Sequence, residues 1–182
     1  MKTYISLLRG INVSGQKKIL MADLKLLYEQ LQFEQVKTYI QSGNVLFKCA
    51  DKHDEEKIIL KINKAIFKQY AFDVAILLRD QLALAEILKN NPYLNRKGIL
   101  EDRLYVTLLS EEPDKKLLEK LLEIPLKTDE FQVNGKEIYL YCPGGYGETK
   151  LNNNFFESKL KLKASTRNWK TINTLSEMLS EY

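Results

Sequence analysis

Two stretches far apart in the chain carry nearly the same pattern, Thr3-Tyr4-Ile5-Ser6-Leu7-Leu8 and Leu104-Tyr105-Val106-Thr107-Leu108-Leu109. Each is a short apolar run with a hydroxyl inside it, which fits a buried strand better than an amphipathic helix. The segments downstream of the two runs repeat as well. After the first, Leu24, Leu27, Tyr28 and Leu31 recur at three- and four-residue spacing and predict a helix over 21–31. Two β-rich runs, 36–41 and 45–49, flank Ser42-Gly43-Asn44, a hairpin with glycine where a positive φ is easiest. A helix over 54–70 with Ile58, Ile62, Ile66 and Phe67 on one stripe precedes a strand over 73–78.

The second copy is looser. A helix over 114–122 starts after Pro113, and Phe131-Gln132-Val133 and Ile138-Tyr139-Leu140-Tyr141 flank Asn134-Gly135, a strong hairpin signal. A helix over 152–160, a short extended piece near Ala164 and a last helix over 167–180 complete it. Between the copies, a linking helix over 81–90 stops before Asn91-Pro92, since proline disfavours helical geometry in its predecessor. The pattern predicts an α+β chain of two tandem ferredoxin-like βαββαβ halves, a duplicated unit joined by a helix and ending in a C-terminal helix. Residues 1–80 form the first half, 81–102 the linking helix and loop, and 103–182 the second half with the C-terminal helix. The first and fourth strands are apolar on both sides, so both faces of the first sheet are expected to be covered. That argues against an open RNA-binding sheet displaying stacking aromatics.

At 182 residues, 45% hydrophobic and 29% charged, the chain has enough apolar material for a real core. No apolar run approaches the roughly 18 to 20 residues that cross a bilayer, and Lys2 and Arg9 interrupt the N-terminus before a signal-peptide core can form. The cytoplasm is the expected compartment, with no membrane partner. Cys49 and Cys142 have no Cys-x-x-Cys or Cys/His companion, so two buried reduced thiols are expected and no metal site. The single histidine, His53, lies at a polar helix entrance and is expected to face solvent. Neither a nucleophilic triad nor a cofactor fingerprint is present, so no cofactor and no catalytic residue is assigned. The net charge of +4 concentrates over 150–170, where Lys150, Lys159, Lys161, Lys163, Arg167 and Lys170 meet one acid, Glu157.

Three polar constellations stand out. Arg9-Gly10-Ile11-Asn12-Val13-Ser14-Gly15 follows the first strand, where backbone N–H groups and a cation at the mouth of a loop suit an anion. Gln41-Ser42-Gly43-Asn44 places amide donors and acceptors on a turn. The third pairs the loop ending in Lys150 with Thr166-Arg167-Asn168-Trp169, each setting a cation beside an expected helix start, with Thr166 as N-cap. Hairpin chemistry and turn glycines explain parts of these motifs without any ligand.

Together the motifs resemble an uncharacterised bacterial family, domain of unknown function 1697. The resemblance rests on Arg9-Gly10-Ile11-Asn12-Val13, Met21-Ala22-Asp23-Leu24, Thr38-Tyr39-Ile40-Gln41-Ser42-Gly43-Asn44-Val45, Lys150-Leu151 and Thr166-Arg167-Asn168-Trp169-Lys170-Thr171. The chain departs from the family's usual first loop in Val13-Ser14-Gly15-Gln16, and carries Thr149 where Ser is common. The resemblance implies an α+β fold with ferredoxin-like repeats and no activity, and it adds weight to the loop positions. The leading expectation is a binding module for a phosphate-bearing ligand, either a nucleotide or a nucleic-acid backbone. Its ligand-binding residues would be Arg9, Gly10, Asn12, Gln41, Ser42, Asn44, Lys150, Thr166, Arg167 and Asn168. Two alternatives stand beside it: an enzyme acting on a small phosphorylated or carboxylated substrate, and a structural protein in which these residues only bridge parts of the fold.

Overall fold

Every apolar run expected to be a strand pairs with a neighbour, and the pairing gives two antiparallel sheets. The computed structural model describes residues 1–13, 15–50 and 54–182, so the expectations for Ser14 and His53 lie outside the described residues. The described residues form a mixed α+β fold with two four-stranded sheets and six α-helices. They divide into two compact units, Met1–Leu84 with Leu175–Tyr182, and Ala85–Thr174.

The first unit contains β1 (Lys2–Leu8), α1 (Met21–Gln30), β2 (Glu34–Tyr39), β3 (Asn44–Cys49), α2 (Glu55–Tyr70) and β4 (Ile76–Asp80). Its strands run in the order β2-β3-β1-β4, each antiparallel to its neighbour. Alternation in β1 sends Tyr4 and Leu8 into one core with Val45 and Phe47 of β3 and Ile76 and Leu78 of β4. The helices close that core with Leu24, Leu27 and Tyr28 of α1 and Ile58, Ile62 and Ile66 of α2, the spacings that predicted them. Asp54 caps α2 by accepting from the Lys57 N–H at 2.9 Å. Ser6 would be an isolated hydroxyl in this core, but it lies 2.8 Å from the Tyr28 hydroxyl. Burial pushes the Tyr28 phenol well above its ordinary pKa, with the Ser6 hydrogen bond opposing. On the other side of the sheet Ile5, Leu7, Leu46 and Leu77 are also buried, so both faces are covered.

The second unit holds β5 (Leu104–Leu109), α4 (Lys115–Leu122), β6 (Glu130–Asn134), β7 (Glu137–Tyr141), α5 (Asn153–Leu160) and β8 (Ala164–Asn168). The strand order is β6-β7-β5-β8, again antiparallel throughout. Leu109, Ile138, Leu140 and Ala164 pack with Leu121 of α4 and Phe156 and Leu160 of α5. Two helices, α3 (Gln81–Lys89) and α6 (Trp169–Ser180), contribute residues to both units. No helix among the described residues is long and apolar enough to cross a membrane. Cys49 and Cys142 are both buried, and burial pushes the Cys142 thiol up to about 11.

Two local expectations need correction. The last helix starts at Trp169, because Thr166, Arg167 and Asn168 pair with β5 as the end of β8. Thr166 is therefore no N-cap. Asn168 takes that role, its Oδ1 accepting from the Thr171 N–H at 2.7 Å. The first hairpin turn also falls earlier than the expected Ser42-Gly43-Asn44: β2 ends at Tyr39 and β3 starts at Asn44, so the turn spans 40–43, with Ile40 at φ +47° and Gly43 at φ +76°.

Candidate functional site

The first two polar motifs meet because of strand direction. With β3 antiparallel to β1, the start of β3 lies beside the end of β1, and Leu7 is opposite Asn44. The Leu8 N–H donates to the Gly43 carbonyl at 2.8 Å, and the Arg9 N–H to the Ala75 carbonyl at 2.9 Å. The hairpin tip and the described residues of the loop over 9–20 therefore share one end of the sheet.

Asn12 fastens them together. At φ +56° it sits in the left-handed region that Asn tolerates better than most residues. Its Nδ2 donates to the carbonyls of Ile19 at 2.9 Å and Gln41 at 3.0 Å, while its Oδ1 accepts from the Ile19 N–H at 2.9 Å. The side chains of Ile11 and Ile19 are sunk in the core on either side of it, and Lys17 reaches the Asp73 carbonyl. Within the hairpin, Asn44 is fully buried and its Nδ2 donates to the Tyr39 carbonyl and the Ser42 hydroxyl, each at 3.0 Å. Gly43 is required for packing as well as for its φ. A Cβ there would lie 2.8 Å from both Leu8 Cβ and Ile11 Cδ1.

Beside this junction is a cleft of about 300 Å³. Asn12 and Gln41 line it together with Lys18, Asp23 and Tyr70, and Ile19 and Leu20 supply apolar surface. Among the described residues Lys18 and Asp23 have no ion-pair partner, and the Gln41 side-chain amide has no hydrogen bond. Leu20 is the N-cap of α1 and makes no side-chain capping bond. Burial raises the Tyr70 hydroxyl, and the charge of Asp23 adds to the shift. Arg9, half-buried, and Gly10, exposed, belong to the loop but not to the lining of the cleft.

The remaining motif lies in the second unit, and its polar groups are largely occupied there. Thr166 Oγ1 lies 2.7 Å from Thr107 Oγ1 and donates to Asn153 Oδ1 at 2.7 Å. Arg167 is buried, and its guanidinium donates to the Ser165 hydroxyl and the Thr166 carbonyl, each at 2.9 Å. Burial lowers its pKa to about 10, with Tyr146 opposing, so it stays charged at neutral pH. Lys150 is exposed, next to Thr149, whose hydroxyl donates to Asp129.

Lys18, Asp23 and Tyr70 were missed from the sequence. Only a weak signal marked the first two, a cation and an acid flanking the start of an expected helix. Nothing local connects Tyr70, at the far end of α2, with either.

A model of a family described as a protein of unknown function matches residues 1–139 of the chain. Among solved structures, a conserved bacterial protein from Streptococcus pneumoniae superposes with a TM-score of 0.78 at 25% identity, covering 98% of each chain. No curated protein matches the chain. With most of its length matched, including the loop and hairpin that build the cleft, the chain belongs to the DUF1697 family.

Proposed function

We propose that the protein binds a small phosphate-bearing ligand in the cleft of its first unit, on a scaffold of two ferredoxin-like halves. The scaffold reading is supported by the recurrence of the strand order β2-β3-β1-β4 as β6-β7-β5-β8. The ligand reading rests on one observation: Lys18 stands without an ion-pair partner among the described residues, on the wall of a cleft that also includes Leu20, the N-cap that leaves the first turn of α1 without a side-chain cap. A cation and open helical N–H groups together favour a phosphate.

The size of the cleft favours a small molecule. About 300 Å³ is at the low end of small-molecule pockets. A nucleic-acid backbone would need a track of cations, and the cleft offers one lysine. In this reading Asn12, Ser42 and Asn44 shape the cleft rather than touch the ligand, since their side chains are engaged with the loop and hairpin. Thr166, Arg167 and Asn168 are structural parts of the second unit.

Calorimetric titration with ribose 5-phosphate tests the proposal. Lys18→Ala removes a charged hydrogen bond and is expected to weaken binding about tenfold to a hundredfold with the melting temperature unchanged. Equal binding by wild type and Lys18→Ala, or no binding by the wild type, would sink it.

A further inference from the structure

Gln41 differs from its neighbours in the hairpin. Its carbonyl is bonded to Asn12, Asn44 braces the turn from inside, and the Leu8 N–H holds Gly43. Only the Gln41 side-chain amide is left, on the wall of the cleft, with no hydrogen bond among the described residues. The residue before it is strained. Ile40 has φ +47°, a region that β-branched side chains rarely enter, and its side chain is 49% exposed, so core packing does not compel that conformation. Such strain persists where surrounding bonds over-determine the backbone, and it gathers at binding sites.

Resting on the reading of the cleft as a phosphate site, we infer that Gln41 is a specificity-determining residue for a nucleoside monophosphate whose base presents a donor beside an acceptor. The amide matches that edge with one acceptor and one donor, as glutamine does with the N6 and N7 of adenine. Tyr70 supplies an aromatic wall for the base, and the Asp23 carboxylate accepts from sugar hydroxyls. Lys18 takes the phosphate. The bonds from Asn12 to the Gln41 carbonyl and from Asn44 to the Tyr39 carbonyl hold Ile40 at positive φ, and that backbone fixes the base of the Gln41 side chain beside the cleft.

The test compares AMP, purine riboside 5′-monophosphate and ribose 5-phosphate by calorimetry on the full chain. Wild type is expected to bind AMP about tenfold more tightly than purine riboside 5′-monophosphate, whose base lacks the 6-amino donor, and more tightly still than ribose 5-phosphate, which has no base to set against Tyr70. Gln41→Ala is expected to abolish the preference for AMP over purine riboside 5′-monophosphate and leave ribose 5-phosphate affinity unchanged. Ile40→Gly is expected to raise the melting temperature and keep the AMP preference, because the flanking bonds impose the same backbone without the strain. If AMP and purine riboside 5′-monophosphate bind equally in wild type, or Gln41→Ala keeps that preference, the base reading is overturned and the phosphate reading stands. If none of the three ligands binds, both readings fail.

Discussion

The corresponding ends of the two sheets begin alike and then part. In the first unit the Leu8 N–H meets the Gly43 carbonyl at 2.8 Å and the Arg9 N–H meets Ala75 at 2.9 Å; in the second, Leu109 meets Lys136 at 2.8 Å and Ser110 meets Lys163 at 3.0 Å. After those bonds the chain behaves differently. The described residues of 9–20 make a long loop, pinned by Asn12 and folded against the hairpin, before α1 begins. Residues 110–114 run directly into α4, with Asp114 as its cap. The hairpins differ in the same sense, since Gly43 is pressed against Leu8 and Ile11, whereas the nearest atoms to a Cβ on Gly135 are carboxylate oxygens 3.9 Å away. A sheet end needs only its strand bonds to be stable; the additional loop and tight hairpin at one end are what make a cleft.

Breaking the hairpins should show the largest contrast. Gly43→Ala forces a side chain into 2.8 Å contacts at φ +76° and is expected to destabilise by about 2–4 kcal/mol in urea unfolding. Gly135→Ala, with φ +58° but open space, should cost about 1 kcal/mol. Equal effects would mean that the first hairpin is not locked to its loop.

The next contrast is between the two fastenings. Asn12→Ala leaves the Ile19 N–H and two carbonyls without their partner and should cost about 2 kcal/mol, with faster amide exchange confined to 10–19. Asp114→Ala, a lost helix cap, should cost about 1 kcal/mol. Exchange rising throughout the first unit in Asn12→Ala would show that the loop is part of the core and not an addition to it.

The smallest contrast is electrostatic. Burial opposes the charge of Asp80, but Lys2 at 2.6 Å and the Ala83 N–H prevail and hold its carboxyl below the ordinary value. In the second unit a two-pronged contact from Arg96, at 2.6 and 2.7 Å, lowers Glu130. A pKa depressed on folding contributes stability above the unfolded-state value, near pH 4, that is lost as the pH falls through the folded value. Stability should therefore decline on the acid side. The more enclosed Asp80 should contribute about 1 kcal/mol and the more exposed, solvent-screened Glu130 a few tenths. Melting scans between neutral and strongly acid pH should show a flatter acid limb for Asp80→Asn than for Glu130→Gln, and the reverse order would contradict this assignment.

The sequence by itself determined the elements and much of the cleft's framework. Alternation and helical spacing placed the eight strands and six α-helices of the described residues within a few positions, because burying an apolar face is a local pattern with a fixed period. The same reading singled out Asn12 and Gln41, which do line the cleft, since their amides bring donors and acceptors to the loop and turn that the sheet pairing does not use. It misplaced the end of β8, because whether Thr166-Arg167-Asn168 coils or extends depends on pairing with Tyr105, Val106 and Thr107, far away in sequence. Only the tertiary structure decided that Tyr70 joins Lys18 and Asp23, and that Asn44, outwardly a ligand-type amide, is buried in bonds to its own turn. A side chain's partners depend on distances across the fold, and one-dimensional spacing carries no record of them.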